Sequence, residues 1–351
     1  MKVTMKDIAQ IHGVSVNAVS LALNNKQGIS NEMRIKILRT AEELGYLETK
    51  EKFLKTFART NICVMMQKRY SQDMNFYGKV LYGVVEEAKK NGYDTLMNFF
   101  DDDAFEVPKT ITQRGATGII VIGKIRDKNI KKICNTHTPV VLADHASMIE
   151  NTDSIITDNK RGSYMLVKYL LEKGFTKIGF YGELGYSLSI KERYWGYKEA
   201  MSEFMGNVSR EQIERYVDKY SILEGIEEAV LANNNKEIIE LVKKHPILPE
   251  VFVCSNDKAA ISLMVALQIL GYKVPDDISV AGFDNIDICE KVCPKLTTIN
   301  VNKELMGKRA VQRLLYRLSH KKSLPENAVI GVEMIERESV GFPNTMCAGS
   351  F

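Results

Sequence analysis

Several things are scarce in this sequence, and each scarcity removes a class of protein. No stretch approaches the roughly 18 apolar residues that a membrane-spanning helix needs; Ile119-Ile120-Val121-Ile122 is only strand-sized. The six cysteines (63, 134, 254, 289, 293 and 347) are scattered, without the dense spacing of a disulfide scaffold. With 8 prolines and 23 glycines in 351 residues, the composition is neither collagenous nor low-complexity. The opening Met1-Lys2-Val3-Thr4-Met5-Lys6-Asp7 has no apolar core segment and no small-residue cleavage site, so no signal peptide is expected. A cytoplasmic protein with reduced thiols and no membrane partner is the expectation. Carriers of chemistry are missing too: there is no P-loop, nucleophile elbow or His-Glu-x-x-His motif. Gly182-Glu183-Leu184-Gly185 lacks the third glycine and the partner acid of a dinucleotide fingerprint. Cys134-x-x-His137 and Cys289-x-x-x-Cys293 have no second pair at fixed spacing, as a metal site would need. No catalytic residue, cofactor or metal is expected.

What is present is globular: 45% hydrophobic and 26% charged residues, enough for two or three domains of about 100–200 residues each. Net charge is +4, and it is unevenly placed. Residues 1–60 hold 10 Lys/Arg against 6 Asp/Glu, whereas the remainder holds 38 of each sign. A small basic head on a neutral body suits a nucleic-acid-binding module. Residues 4–47 read as purely helical. Thr4-x-x-Asp7 is a capping box opening a helix that runs through Ile8, Ala9 and Ile11 to Gly13. Ser15 caps a second helix, Val16 to about Leu23, with Val16, Val19 and Leu23 on one face. Ala9, Gly13 and Val19 supply the small crossing residue, the turn and the β-branched plug of a helix-turn-helix. A third helix is expected from Ser30 to Leu44, with Ile35, Leu38 and Leu44 as its core face. Residues 48–60 form a charged connector.

From about residue 61, short apolar runs alternate with amphipathic helical stretches. Strands are expected at Ile62–Met66, Thr95–Phe99, Gly118–Ile122, Val140–Ala143, Ile155–Thr157, Lys177–Tyr181, Val251–Cys254 and Ile278–Ala281. Helical patterns lie between and beyond them. Gly92-Tyr93, Gly174-Phe175 and Gly271-Tyr272 each follow an amphipathic helix and precede a strand. This alternation predicts an α/β body with doubly wound parallel sheets, long enough for two lobes.

The series Val3-Thr4-Met5-Lys6-Asp7-Ile8-Ala9, Gly13-Val14-Ser15, Val19-Ser20, Leu23-Asn24 and Ala41-Glu42-Glu43-Leu44-Gly45-Tyr46 resembles the head of lactose-repressor (LacI/GalR) family regulators. The likeness continues through Asp158-Asn159, Glu192-Arg193, Gly196-Tyr197, Cys254-Ser255-Asn256-Asp257, Pro275 to Asp284 and Leu296-Thr297-Thr298-Ile299, up to about residue 340. The resemblance implies a helix-turn-helix head (1–47), a hinge (48–60) and a two-lobed, periplasmic-binding-protein-like body (61–340), followed by a tail (341–351). It places one lobe at 61–158 and 295–322 and the other at 159–290 and 323–340.

The same resemblance implies the site residues. Val16, Asn17 and Leu21 are the base-reading positions in the major groove. Asn17 suits adenine and Val16 a thymine methyl, while Leu21 stands where many relatives have arginine. Lys6, Ser15, Ser20 and Asn24 suit phosphates. Leu54 is the candidate minor-groove wedge, although Lys55 occupies the strict register and Glu48 and Glu51 depart from the usual hinge. In the cleft, Phe76, Asp144, Asp158, Arg193, Asn256 and Asp284 are the implied effector contacts, Asp257 reads as a helix cap or a ligand, and Trp195 as core. The implied function is a sequence-specific DNA-binding transcriptional regulator of repressor type. It acts as a homodimer without a tetramerising tail, on double-stranded operator DNA, under a small-molecule effector of carbohydrate type. A purine-type ligand or phosphoprotein corepressor, and a small-molecule binding protein without DNA binding, stand as alternatives.

Overall fold

The structure, a computed structural model, describes residues 3–23, 28–46, 61–112, 115–206 and 208–343. The whole of the expected hinge lies outside these residues, as do Asn24 and Leu54.

Three helices form the head: α1 (Met5–His12), α2 (Val16–Leu23) and α3 (Asn31–Glu43). The backbone N–H and hydroxyl of Thr4 both donate to Asp7 Oδ2 at 2.8 Å, closing the start of α1. Gly13 ends it in the left-handed conformation (φ 62°), and Val14 N–H reaches back to the Ala9 carbonyl at 3.0 Å. The Ser15 hydroxyl then accepts Ala18 N–H at 3.0 Å and starts α2. Ile8, Ala9, Val19, Ala22, Leu23, Ile37, Ala41 and Tyr46 make the core of the head. Two expectations need correction here. Val16 is 42% exposed, because it is the first residue of α2 and lies beyond the packing that buries Val19, Ala22 and Leu23. On α3 the buried stripe is Ile37 and Ala41, whereas Ile35 and Leu44 are 52% and 40% exposed.

The body contains, in chain order, β1 (Asn61–Gln67), α4 (Tyr77–Lys90), β2 (Asp94–Phe100), α5 (Lys109–Thr112), β3 (Gly118–Ile122), α6 (Asp127–Cys134), β4 (Val140–Ala143) and β5 (Asp153–Thr157). Then follow α7 (Asn159–Glu172), β6 (Ile178–Tyr181), α8 (Leu188–Phe204), α9 (Arg210–Tyr220), α10 (Ile226–Leu231), α11 (Asn235–Lys244), β7 (Val251–Cys254), α12 (Asp257–Ile269) and β8 (Ser279–Asp284). The chain ends with β9 (Thr297–Asn300), α13 (Lys303–Ser319), β10 (Asn327–Ile330) and β11 (Glu333–Ile335). One sheet has the order β10-β5-β4-β3-β1-β2, and all its ladders are parallel. The other has the order β11-β9-β8-β7-β6, parallel except for β11 against β9. Central strands such as β3 and β7 are buried along their whole length, which is why they read as continuous apolar runs.

The strands redraw the expected lobe boundaries. Residues 295–322 were expected in the first lobe, yet β9 pairs with β8 in the second sheet. Residues 323–340 were expected in the second, yet β10 pairs with β5 in the first. The chain therefore passes between lobes at 157–159, 300–303 and 330–333. Helices α4 and α13 cover one face of the first sheet and cross at a pair of glycines. A Cβ on Gly307 would stand 2.0 Å from the Val80 carbonyl oxygen, and one on Gly83 would stand 2.1 Å from that of Glu304. Val80 and Val84 are fully buried in this packing.

In both sheets a reversal of strand order opens a crevice at the carboxyl ends of the strands, the general ligand position in doubly wound folds. Here the reversal lies at β1, between β2 and β3, in one sheet. In the other it lies at β6, which also bridges Ile222.

Candidate functional site

On the head, the outer end of α2 carries the exposed Val16 and Asn17, and Lys6 is exposed on α1. Ser15 is exposed but its hydroxyl is committed to capping α2. Ser20 and Leu21 are half-buried on α2. Thus a helix N-terminus, with its free N–H groups, stands beside an amide side chain and a valine.

The body's site is a cavity of about 110 Å³ between the lobes. Five of the six expected cleft residues line it: Phe76, Asp144, Arg193, Asn256 and Asp284. Asp158 does not. Its carboxylate accepts Arg161 N–H at 3.3 Å and caps α7, because it sits where the chain leaves β5 and turns directly into that helix. Its neighbour Asn159 matters more, since its Oδ1 holds Arg193.

Arg193 projects from α8 and is almost completely buried. Its Nε donates to Asn159 Oδ1 at 2.9 Å, one terminal nitrogen to the Ser255 carbonyl at 2.6 Å, and the other to Asp284 Oδ1 at 3.0 Å. The guanidinium also lies 3.8 Å from the centre of the Phe283 ring. Asp284, the last residue of β8, has φ 117°, a conformation that non-glycine residues rarely adopt. The Lys303 ammonium, arriving from α13 on the other lobe, donates to the Asp284 carbonyl and to those of Asn285 and Val301. Burial raises the Asp284 carboxyl above its ordinary range, opposed by Arg193.

Asn256 caps α12 by accepting Ala259 N–H at 2.9 Å, and its amide nitrogen donates to Glu227 at 3.2 Å. Asp257 is neither cap nor cavity lining. It is fully buried behind Asp284, accepting the Thr298 hydroxyl at 2.5 Å and Ile286 N–H at 2.9 Å. Burial and the nearby Asp284 push its carboxyl up.

On the opposite wall, Asp144 follows β4 at φ 59° and receives the Tyr77 hydroxyl at 3.2 Å. Burial pushes its carboxyl up to about 7, against the attraction of Arg193. Phe76, Tyr77 and Tyr70 form an aromatic wall, with Tyr70 and Tyr77 ring centres 4.5 Å apart. Among the described residues, two ion pairs join the lobes, Asp73–Lys258 at 2.9 Å and Lys79–Asp287 at 2.5 Å.

Sequence reasoning missed Tyr70, Lys124, His145 and Glu227 in the lining. Lys124 and His145 follow closely on correctly expected strands, so the strand-end rule had the means to reveal them. Glu227 has no such signal. Trp195, expected in the core, is half-exposed beside Lys160 and Lys198, because α8 turns that side to solvent.

Comparison with known proteins fits this architecture. Residues 4–48 match bacterial regulatory proteins of the lacI family, and residues 167–340 match the periplasmic binding protein-like domain. Over 347 residues the chain is 30% identical to the HTH-type transcriptional repressor PurR of Vibrio campbellii, covering 96% of this chain and 98% of that one. The corresponding protein of Vibrio vulnificus is 28% identical over the same length. This chain belongs to the lacI family. It is a DNA-binding transcriptional regulator, not an enzyme. Among solved structures, the lac repressor dimer bound to operator superposes with a TM-score of 0.65 at 21% identity, covering 97% of this chain and all of that one. A LacI family regulator from Enterococcus faecium with bound ribose gives 0.67 at 22% identity, covering 81% of this chain and 99% of that one. Among the described residues of this lacI-family regulator, no helix is long and apolar enough to cross a membrane.

Proposed function

We propose that this regulator is a repressor that reads a two-fold symmetric operator as a homodimer, and that a monosaccharide-sized sugar in the cleft sets its operator affinity. The observation that carries the effector reading is the buried Arg193–Asp284 pair beside Asn256, opposite Asp144 and Phe76. Guanidinium, amide and carboxylate groups supply the donors and acceptors that vicinal hydroxyls need, and an aromatic face covers an apolar sugar face. On the head, Asn17 and Val16 are the base readers, Lys6 a phosphate contact, and Ser20 and Leu21 flank them on α2; Asn24 and Leu54 belong to the same proposal from the sequence alone. A purine-type effector is the second reading, favoured by the relatives named PurR and by the Tyr70–Tyr77 ring pair.

Two measurements test this. A thermal-shift panel of monosaccharides and nucleobases identifies the class, since a ligand at about 100 times its dissociation constant stabilises by about 2.7 kcal/mol. Gel shifts with promoter fragments, with and without the hit, then report the response. Stabilisation by nucleobases alone selects the purine reading, and a hit that leaves operator binding unchanged rejects both. For the head, Asn17→Ala is expected to cost about 1–3 kcal/mol on the preferred operator and relax discrimination at one base pair. Equal losses on all sequences would make Asn17 a phosphate contact.

A further inference from the structure

The charges lining the cleft do not cancel. Asp73 is paired with Lys258 and Asp284 with Arg193; Lys124 donates to the neutral Tyr186 carbonyl and keeps its positive charge, a lining cation with no ion pair among the described residues. Two lining carboxylates, Asp144 in one lobe and Glu227 in the other, form no ion pair among the described residues. Glu227 stands in the first turn of α10 and is 4% exposed. Its Oε1 accepts the Ser255 hydroxyl at 2.7 Å and its Oε2 the Asn256 amide at 3.2 Å. Both donors are neutral. Its own backbone N–H donates to a second acid, Glu183, at 3.3 Å. Burial, with the neighbouring Glu183, raises its carboxyl above the ordinary range, and the hydrogen bonds from Ser255 and Asn256 only partly offset this.

A carboxylate has about four acceptor positions, and the protein fills two of them on Glu227. Glu227 lines a cavity that holds four carboxylates (Asp73, Asp144, Glu227, Asp284) against three cations (Lys124, Arg193, Lys258), where an unmet buried acceptor is costly. We infer that Glu227 is a specificity-determining residue of the cleft: it takes a hydrogen-bond donor from a neutral or cationic effector and turns anionic ligands away. The inference rests on the effector reading proposed above. A phosphate or carboxylate on the ligand would meet the Glu227 carboxylate in a low-dielectric site, where like charges repel strongly.

The test uses the full-length chain and calorimetric titration with matched probes. These are D-glucose, D-glucosamine and D-glucose 6-phosphate; D-ribose and D-ribose 5-phosphate; hypoxanthine and inosine 5′-monophosphate. Wild type is expected to bind a neutral or amino member at least tenfold more tightly than its phosphorylated counterpart. Glu227→Gln keeps the shape and one acceptor, and is expected to weaken that ligand tenfold or more and to narrow the gap to the phosphorylated one. Circular dichroism confirms that the variant is folded, and the wild-type preference stands as evidence even if it is not. A phosphorylated probe that binds wild type as tightly as its neutral parent overturns the inference. So does a folded Glu227→Gln protein that keeps both affinities within twofold. Binding of no probe to wild type instead sinks the effector reading, and this inference with it.

Discussion

Arg193 has every nitrogen committed inside the protein, which makes it a structural residue as well as a cleft residue. Removing it leaves Asp284 buried without its counter-ion. Arg193→Ala is therefore expected to lose about 3–5 kcal/mol of unfolding free energy, measured by denaturant titration, besides losing the effector response. A variant of wild-type stability would mean that Asp284 finds another partner. Asp144 gives a pH signature. Its carboxyl is raised from an unfolded value near 3.8 to about 7, so the folded state holds a proton that the unfolded state releases. The stabilisation is complete below about pH 4 and is lost as pH rises through 7. Asp144→Asn removes this contribution, so its stability should fall less than wild type's between pH 4 and 7. Parallel curves for the two proteins would place the proton elsewhere, Asp257, Asp284 and Glu227 being further buried carboxyls raised by burial.

Among elements, the crossing of α4 and α13 is the tightest constraint on the first lobe. Gly307 meets backbone, not a flexible side-chain end, so the helices must separate if a methyl is added. Gly307→Ala is expected to destabilise by about 1–3 kcal/mol, seen as a lowered melting temperature. An unchanged melting temperature would mean that the helices slide apart freely. The cap of α12 shows a different economy: Asn256 starts the helix through Oδ1 while its amide nitrogen faces Glu227 and the cavity. One side chain thus fixes the helix start and the cleft wall together. Lys303 does something similar between lobes, joining the start of α13 to the Asp284–Asn285 turn.

For the whole molecule, the head's small excess of charge argues for two heads acting together. A module neutralising few phosphates binds non-specific DNA at about 10⁻⁴–10⁻⁶ M, too weakly for regulation. A two-fold dimer presents two recognition helices to two half-sites. Sedimentation at micromolar concentration is expected to give about twice the chain mass of 39.7 kDa, with a two-fold symmetric footprint on the operator. A monomer protecting one asymmetric half-site would contradict this. Within each chain, the ion pairs Asp73–Lys258 and Lys79–Asp287 bridge the lobes at the cleft, so opening the body must break them.

The sequence by itself determined what depends on near neighbours. The capping box at Thr4, the left-handed Gly13 and the wholly apolar β3 and β7 announce themselves because caps, turns and buried strands are set by residues close in the chain. The family resemblance implied Asp144, Asn256 and Asp284 as cleft residues, and each stands at or just after the carboxyl end of a strand (β4, β7 and β8), where doubly wound folds hold ligands. Only the tertiary structure decided what depends on partners far away. The short β9, β10 and β11 carry little pattern of their own, and their places in opposite sheets follow from the three passages between lobes. Asp158 became a cap and not a ligand, Trp195 turned outward, and Glu227 reached the cavity, because each outcome depends on how a helix is rotated against the sheet. That rotation is fixed by distant packing surfaces such as the crossing of α7 and α8 at Gly196, where a Cβ would stand 2.0 Å from the Lys160 carbonyl oxygen, a geometry no local stretch of sequence contains.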